Sequence, residues 1–170
     1  MKILLATLTT AAALSFAPAL AQTAGDDTQL EARGDPENGM TLFTRQCATC
    51  HVVADDDGEI IAGRPTQAGP NLYGVVGSPP GTRHEFGYGD ALVEYGQTGV
   101  VWERENLDSY LDDPTAHLRE ALDDPRARSR MVFRIRNEEQ KHDIIAFLEQ
   151  HAEEQVEMMD DENGTEADEG

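Results

Sequence analysis

The five residues Cys47-Ala48-Thr49-Cys50-His51 restrict what this chain can become more than any other stretch. On a helical turn, side chains three and four apart share a face, so Cys47, Cys50 and His51 can all engage one group. Two cysteines separated by two residues and followed at once by histidine form the attachment pattern of a c-type haem. The cysteines supply thioethers and the imidazole is directed at the iron. A tetrahedral zinc site needs two further ligands, and the chain has no cysteine besides these two. A thioredoxin-like redox pair would accompany a βαβ unit, and no such unit is legible. A small disulfide staple is the remaining competitor, which an exported chain would permit. The aromatic content of 6% fits a small core completed by a buried cofactor.

The length of 170 residues allows about one domain with tails. Residues 1–21 read as a secretory signal, with Lys2 as the charged end and Ala19-Leu20-Ala21 as the cleavage pattern. An uncleaved anchor is the competing reading, weakened by Thr7, Thr9 and Thr10 within the apolar run. Export to the periplasm suits haem attachment, and no stable membrane insertion is expected once the signal is removed. Residues 22–34 form a polar leader expected to be flexible, and the folded domain spans 35–150. Residues 151–170 are strongly acidic, hold no Lys or Arg, and are expected to be disordered.

Thirteen Lys and Arg against 33 Asp and Glu give a net charge of −20. No net basic field exists to neutralise phosphates, which argues against nucleic-acid binding. With 27% charged residues the chain is not a polytopic membrane protein. The lysines are Lys2 and Lys141, and an acidic, lysine-poor surface is the composition expected of a protein from salty surroundings.

Asp35 is suited to cap a helix that opens with Pro36 and Glu37 and runs into the haem motif. Gly39 is out of place there, since glycine inside a helix costs about 1 kcal/mol relative to alanine. Close approach of another helix would account for it. Residues 52–69 read as loop, with Asp55-Asp56-Asp57-Gly58 as a solvated turn lacking the full calcium-loop pattern. Residues 78–89 are rich in glycine and proline and read as irregular. A second helix is expected over 103–113, where Leu107, Tyr110 and Leu111 share a face. Residues 115–130 read as a short helix or loop. A last helix starts at Asn137, boxed with Gln140, and continues to about residue 150. The expectation is an all-α fold of three main helices and long loops around one covalent haem.

The ligand on the second face of the iron separates a carrier from a haem enzyme or gas sensor with an open sixth site. Beyond the signal, the methionines are Met40, Met131, Met158 and Met159. Met40 precedes the motif on the same helix and reads as a packing residue, while Met158 and Met159 lie in the acidic tail. Met131 sits in a non-helical stretch able to wrap over the haem, with a buried core methionine as the plain alternative. A bis-histidine site using His84 or His117 is a further alternative.

The chain resembles class I cytochrome c, and within it the bacterial cytochrome c2 type. The resemblance covers about residues 35–150. It rests on Cys47-Ala-Thr-Cys50-His51, Gly69-Pro70-Asn71-Leu72, Trp102 with Leu107 and Tyr110, and Ser129-Arg130-Met131-Val132-Phe133, in that order. It implies Met131 as the sixth iron ligand and the Pro70 carbonyl as acceptor for His51 Nδ1–H. It also implies Tyr110 as a hydrogen-bonding group near the Met131 sulfur, and Tyr88 and Trp102 as donors to a haem propionate. Gly39 and Phe43 would pack across Ile144 and Phe147. Two positions depart from the family: Ser78 stands where an arginine often helps the propionates, and Leu92 where asparagine is common. The activity implied is one-electron transport by a soluble, monomeric carrier that is not an enzyme. Its partners would be a quinol-oxidising cytochrome complex as donor and an oxidase, photosynthetic reaction centre or denitrification reductase as acceptor.

One charge feature belongs to this chain. Arg126, Arg128, Arg130, Arg134 and Arg136 surround Met131 without an intervening acidic residue. In so acidic a chain this reads as a basic ring for docking acidic redox partners, with plain solvation or pairing to Asp123, Asp124 and Glu138 as the alternative.

Overall fold

Two crossed helices, one on each side of the haem motif and far apart in sequence, set the frame. The computed structural model describes residues 33–66 and 68–163, with side chains described to residue 152. The signal at 1–21 and most of the 22–34 leader lie outside the described residues. Helix α1 (Pro36–Gln46) begins where Asp35 Oδ1 accepts the N–H groups of Glu37 at 2.9 Å and Asn38 at 3.2 Å. Helix α5 (Glu138–Asn163) begins where Asn137 Oδ1 accepts Gln140 N–H at 2.9 Å. The two cross at Gly39, where a Cβ would overlap the Asp143 carbonyl and stand 2.9 Å from Phe147 Cβ. The Phe43 and Phe147 rings meet 5.6 Å apart beside the crossing. Asp143, buried on α5, accepts Asp35 N–H and the Asn38 side chain, each at 2.7 Å. Both carboxylate oxygens are thereby satisfied, and α1 is pinned in register.

Between these helices lie α2 (Asp90–Gln97), α3 (Arg104–Asp112) and α4 (Pro114–Ala121). Asp113 ends α3 and caps α4, its Oδ1 accepting Ala116 N–H at 3.1 Å. Lys141 ties α3 to α5: its buried ammonium lies 3.0 Å from both Asp108 Oδ2 and Glu138 Oε1. The core gathers Phe43, Leu107, Leu111, Leu118, Ile144 and Ile145 between the helices. Among the described residues, no helix is long and apolar enough to cross a membrane.

The all-α class holds, with three differences in detail. Residues 52–69, read as loop, include the antiparallel strands β1 (Val52–Ala54) and β2 (Ile60–Gly63), joined by the aspartate turn in which Gly58 has φ +83°. The pairing is too short for its β-branched residues to show a period-two pattern. Helix α2, absent from the sequence reading, is a short segment capped by Gly89 without a side-chain cap bond. Helix α5 continues to Asn163 where disorder was expected from residue 151. Eight of the thirteen added residues are Ala, Glu, Gln or Met, all good helix formers, and extension from a docked helix needs no new nucleus. Met40, read as packing, is 43% exposed because the crossing uses the other face of α1.

Candidate functional site

A cavity of about 790 Å³ opens between the haem motif, the 78–89 loop, α3 and the 130–133 segment. This is within the size range of cofactor sites. Its walls are largely apolar, with Phe43, Leu72, Leu107, Leu111, Ile144 and Leu148 contributed by four different parts of the chain. Cys47, Cys50, His51, Pro70, Tyr88, Trp102, Tyr110 and Met131 all line it. The sequence-read set, scattered over 85 positions, is brought to one place.

The motif is an extra turn on the end of α1. Cys47 N–H bonds to the Phe43 carbonyl at 2.8 Å, and the N–H groups of Cys50 and His51 both bond to the Cys47 carbonyl at 2.9 Å. Thr66 Oγ1 donates to the Cys50 carbonyl at 2.6 Å and closes the turn from outside. Cys47 and Cys50 are not joined to each other as a disulfide. The Cys47 thiol is pushed up to about 12, first by burial and then by Cys50. Before a thioether forms, this side chain is therefore a neutral thiol beside the apolar cavity.

His51 Nδ1 lies 3.0 Å from the Pro70 carbonyl oxygen. A carbonyl only accepts, so Nδ1 carries the hydrogen. Burial moves the His51 pKa below its ordinary value, with the Pro70 bond opposing. The ring is thus neutral near pH 7, and its Nε2 holds a lone pair free to bind a metal. Gly69 makes room for this ring: a Cβ there would lie 2.6 Å from His51 Cε1 and 2.7 Å from Nδ1.

Of the methionines with described side chains, Met131 lines the cavity and Met40 does not. The Tyr110 hydroxyl lies 2.9 Å from Ser129 Oγ, and that oxygen accepts Met131 N–H at 3.1 Å. Tyr110 thus reaches the Met131 segment through Ser129, a residue the sequence reading placed only within a motif. Trp102 is buried, and its backbone exchanges bonds with the 77–78 turn: Gly77 N–H to Trp102 O at 2.8 Å, and Trp102 N–H to Ser78 O at 2.9 Å. Its ring packs edge-on against Tyr110, 5.0 Å between centroids. Tyr88 is raised in pKa chiefly by burial, with Arg83 opposing. Neither His84 nor His117 lines the cavity.

The five arginines divide. Arg126 pairs with Asp124 at 3.3 Å and Arg134 with Asp113 at 3.0 Å. Arg130 lies 6.0 Å from the Phe86 ring centroid and donates to the Gly87 carbonyl at the cavity wall. Arg128 and Arg136 are exposed and make no ion pair among the described residues.

His117 has a different place. Its ring is enclosed by Tyr95, Tyr110 and Trp102, at 5.1, 5.7 and 6.2 Å. Nδ1 meets Ser109 Oγ at 3.0 Å, while Nε2 is buried without a hydrogen-bond partner among the described residues. Burial lowers its pKa below the ordinary 6.5, with Glu120 opposing. The unfolded chain therefore binds this proton more readily than the folded one. The stability that the neutral ring supports is present above pH 6.5 and is lost as the pH falls towards the folded-state value. His117→Phe should flatten the acid-side fall in stability, read from denaturant midpoints at about pH 7 and about pH 5. Parallel pH curves for the two proteins would contradict this.

No family model matches the chain. Among curated proteins, cytochrome c2 of Cereibacter sphaeroides is 43% identical over 153 residues, covering 89% of this chain and 98% of the relative. Cytochrome c2 of Rhodobacter capsulatus is 40% identical over 149 residues, covering 87% and 96%. Among solved structures, cytochrome c2 from Rhodobacter sphaeroides aligns with a TM-score of 0.67 and 46% identity, covering 70% of this chain and 97% of that one. The residue set in the cavity and these likenesses agree: the chain belongs to the class I cytochromes c of the bacterial cytochrome c2 type, whose cofactor is a haem c held covalently, here through Cys47 and Cys50.

Proposed function

We propose that this cytochrome is a periplasmic one-electron carrier in which His51 and Met131 would hold the haem iron. The observation that carries the reading is that a neutral, Pro70-anchored imidazole and a methionine thioether from a distant segment line one apolar cavity beside the two thiols. Haem c, when bound, supplies an iron able to exchange one electron. The chain's part is to hold both donors in place. Gly69 and Pro70 fix the His51 ring, and the Ser129–Tyr110 pair fixes the backbone of Met131. The apolar wall keeps water away, and a soft thioether donor favours a raised reduction potential. Substrate turnover forms no part of this reading.

The docking surface in this reading is the cavity rim near Met131, where Val132 is 86% exposed and Phe133 44% exposed between arginines. Arg128 and Arg136, without an ion pair among the described residues, supply its long-range attraction for an acidic partner. The donor would be a membrane quinol-oxidising cytochrome complex, and the acceptor an oxidase, reaction centre or denitrification reductase. Converting Arg128 and Arg136 to Gln together should slow association with a purified quinol-oxidising complex several-fold at low salt. It should also flatten the decline of that rate with ionic strength. Stopped-flow rates that match the parent protein at every salt concentration would remove the rim from the docking surface.

A further inference from the structure

The 77–83 turn contains a serine where the family often has a propionate-binding arginine, and Ser78 cannot take over that task. Its hydroxyl donates to the Gly74 carbonyl at 2.5 Å, so its one hydrogen is already committed. Five residues further on, Arg83 lines the same cavity. Its guanidinium is held by the Tyr73 carbonyl, a neutral partner, and it makes no ion pair among the described residues. In a chain with 33 acidic residues this is informative. Arg104 is paired with Glu149 and buried Lys141 has two carboxylates, while Arg119, likewise half-buried and without an ion pair among the described residues, donates to the Ala127 carbonyl away from the cavity; Arg83 differs in lining the cavity itself. A partly desolvated guanidinium on an apolar wall needs an anion.

We infer that Arg83 is the residue that neutralises a carboxylate of the cofactor, taking the role that Ser78 leaves vacant. Arg83, Tyr88 and Tyr110 line the same cavity; burial raises both tyrosine pKa values, with the Arg83 charge opposing at Tyr88. Arg83, Tyr88, Tyr110 and the Trp102 ring packed on Tyr110 therefore form one polar region in an otherwise apolar wall. Tyr73, whose carbonyl holds the guanidinium, is itself fully buried, so the anchor is rigid. Arg130, the second cation on the wall, is exposed and lies over Phe86, where it is suited to the rim. The inference rests on the cavity holding haem c.

The test is the midpoint potential of the holoprotein against pH, for the parent, Arg83→Gln and the double variant Arg83→Gln with Ser78→Arg. The charged and titratable groups near Arg83 are His84, Glu85 and Tyr88 on its own loop, Tyr110 from α3, and Arg130. All persist in the three proteins, so differences between curves report the substitution. An unpaired carboxylate protonates more readily, so Arg83→Gln should lower the potential at neutral pH. It should also move the pH-dependent step up by about one to two units. Ser78→Arg should return the curve towards the parent. An unshifted curve would overturn the assignment, even if thermal stability fell. A shift that Ser78→Arg does not reverse would also overturn it, by tracing the effect to the lost hold on Tyr73. An unchanged c-type absorption spectrum in Arg83→Gln shows that the cofactor site itself is intact, so a failure of this assignment is distinct from a failure of the haem reading.

Discussion

Gly39→Ala should destabilise the holoprotein by about 2 kcal/mol or more, although alanine is the better helix former. Alanine in place of glycine recovers about 1 kcal/mol of helix propensity. Against this stands overpacking, which typically costs about 1–3 kcal/mol and more where the neighbour cannot yield. Here the neighbour is backbone: the new Cβ would overlap the Asp143 carbonyl and come within 2.6 Å of its carbon. Asp143 cannot retreat cheaply, because its carboxylate holds Asp35 N–H and Asn38 at 2.7 Å each. Separating α1 from α5 would strain those bonds and the Phe43–Phe147 contact together. The measurement is the denaturant midpoint of the variant. A midpoint at or above that of the parent would mean that the helices are not in contact at this glycine.

Met131→Ala should have the largest effect on the redox centre. A small apolar side chain cannot ligate, so the ferrous protein should bind carbon monoxide, and the ferric protein should lose its methionine charge-transfer band. The potential should fall by a few tenths of a volt, within the roughly 0.8 V range governed by axial ligands. A methionine that merely packed in the core would behave otherwise. Its loss would cost about 2–5 kcal/mol of stability and leave the potential and carbon monoxide response essentially unchanged. The two outcomes are separable in one preparation by potentiometry and gas titration.

The site was more legible in the sequence than the frame that supports it. Cys47, Cys50 and His51 are local, and their spacing states their chemistry. Pro70, Tyr88, Trp102, Tyr110 and Met131 became readable through a family pattern, and the fold brings them to one cavity. Gly39 was readable as an anomaly, because a glycine inside an amphipathic helix asks for a close neighbour. What escaped depends on distant partners. Asp143 and Lys141 look like surface charges in a wet helix, yet both are buried and bridge to α1 and α3. Ser129 gained its place only once Tyr110 and the Met131 N–H were seen to share its hydroxyl. His117, an ordinary histidine in sequence, is enclosed by three aromatic rings. The arginine cluster was visible as a run of charge, but which members are neutralised by Asp113 and Asp124 follows only from the fold.

The central claim is that His51 and Met131 both ligate the iron, and the visible and near-infrared spectrum of the holoprotein tests it most directly. The protein is measured ferric, then reduced, and finally reduced under carbon monoxide. The expected result is a c-type haem spectrum, a methionine-to-ferric charge-transfer band, and a reduced spectrum unaffected by carbon monoxide. Absence of that band together with ready carbon monoxide binding would contradict it, leaving an open sixth site and the chemistry of a haem enzyme or gas sensor.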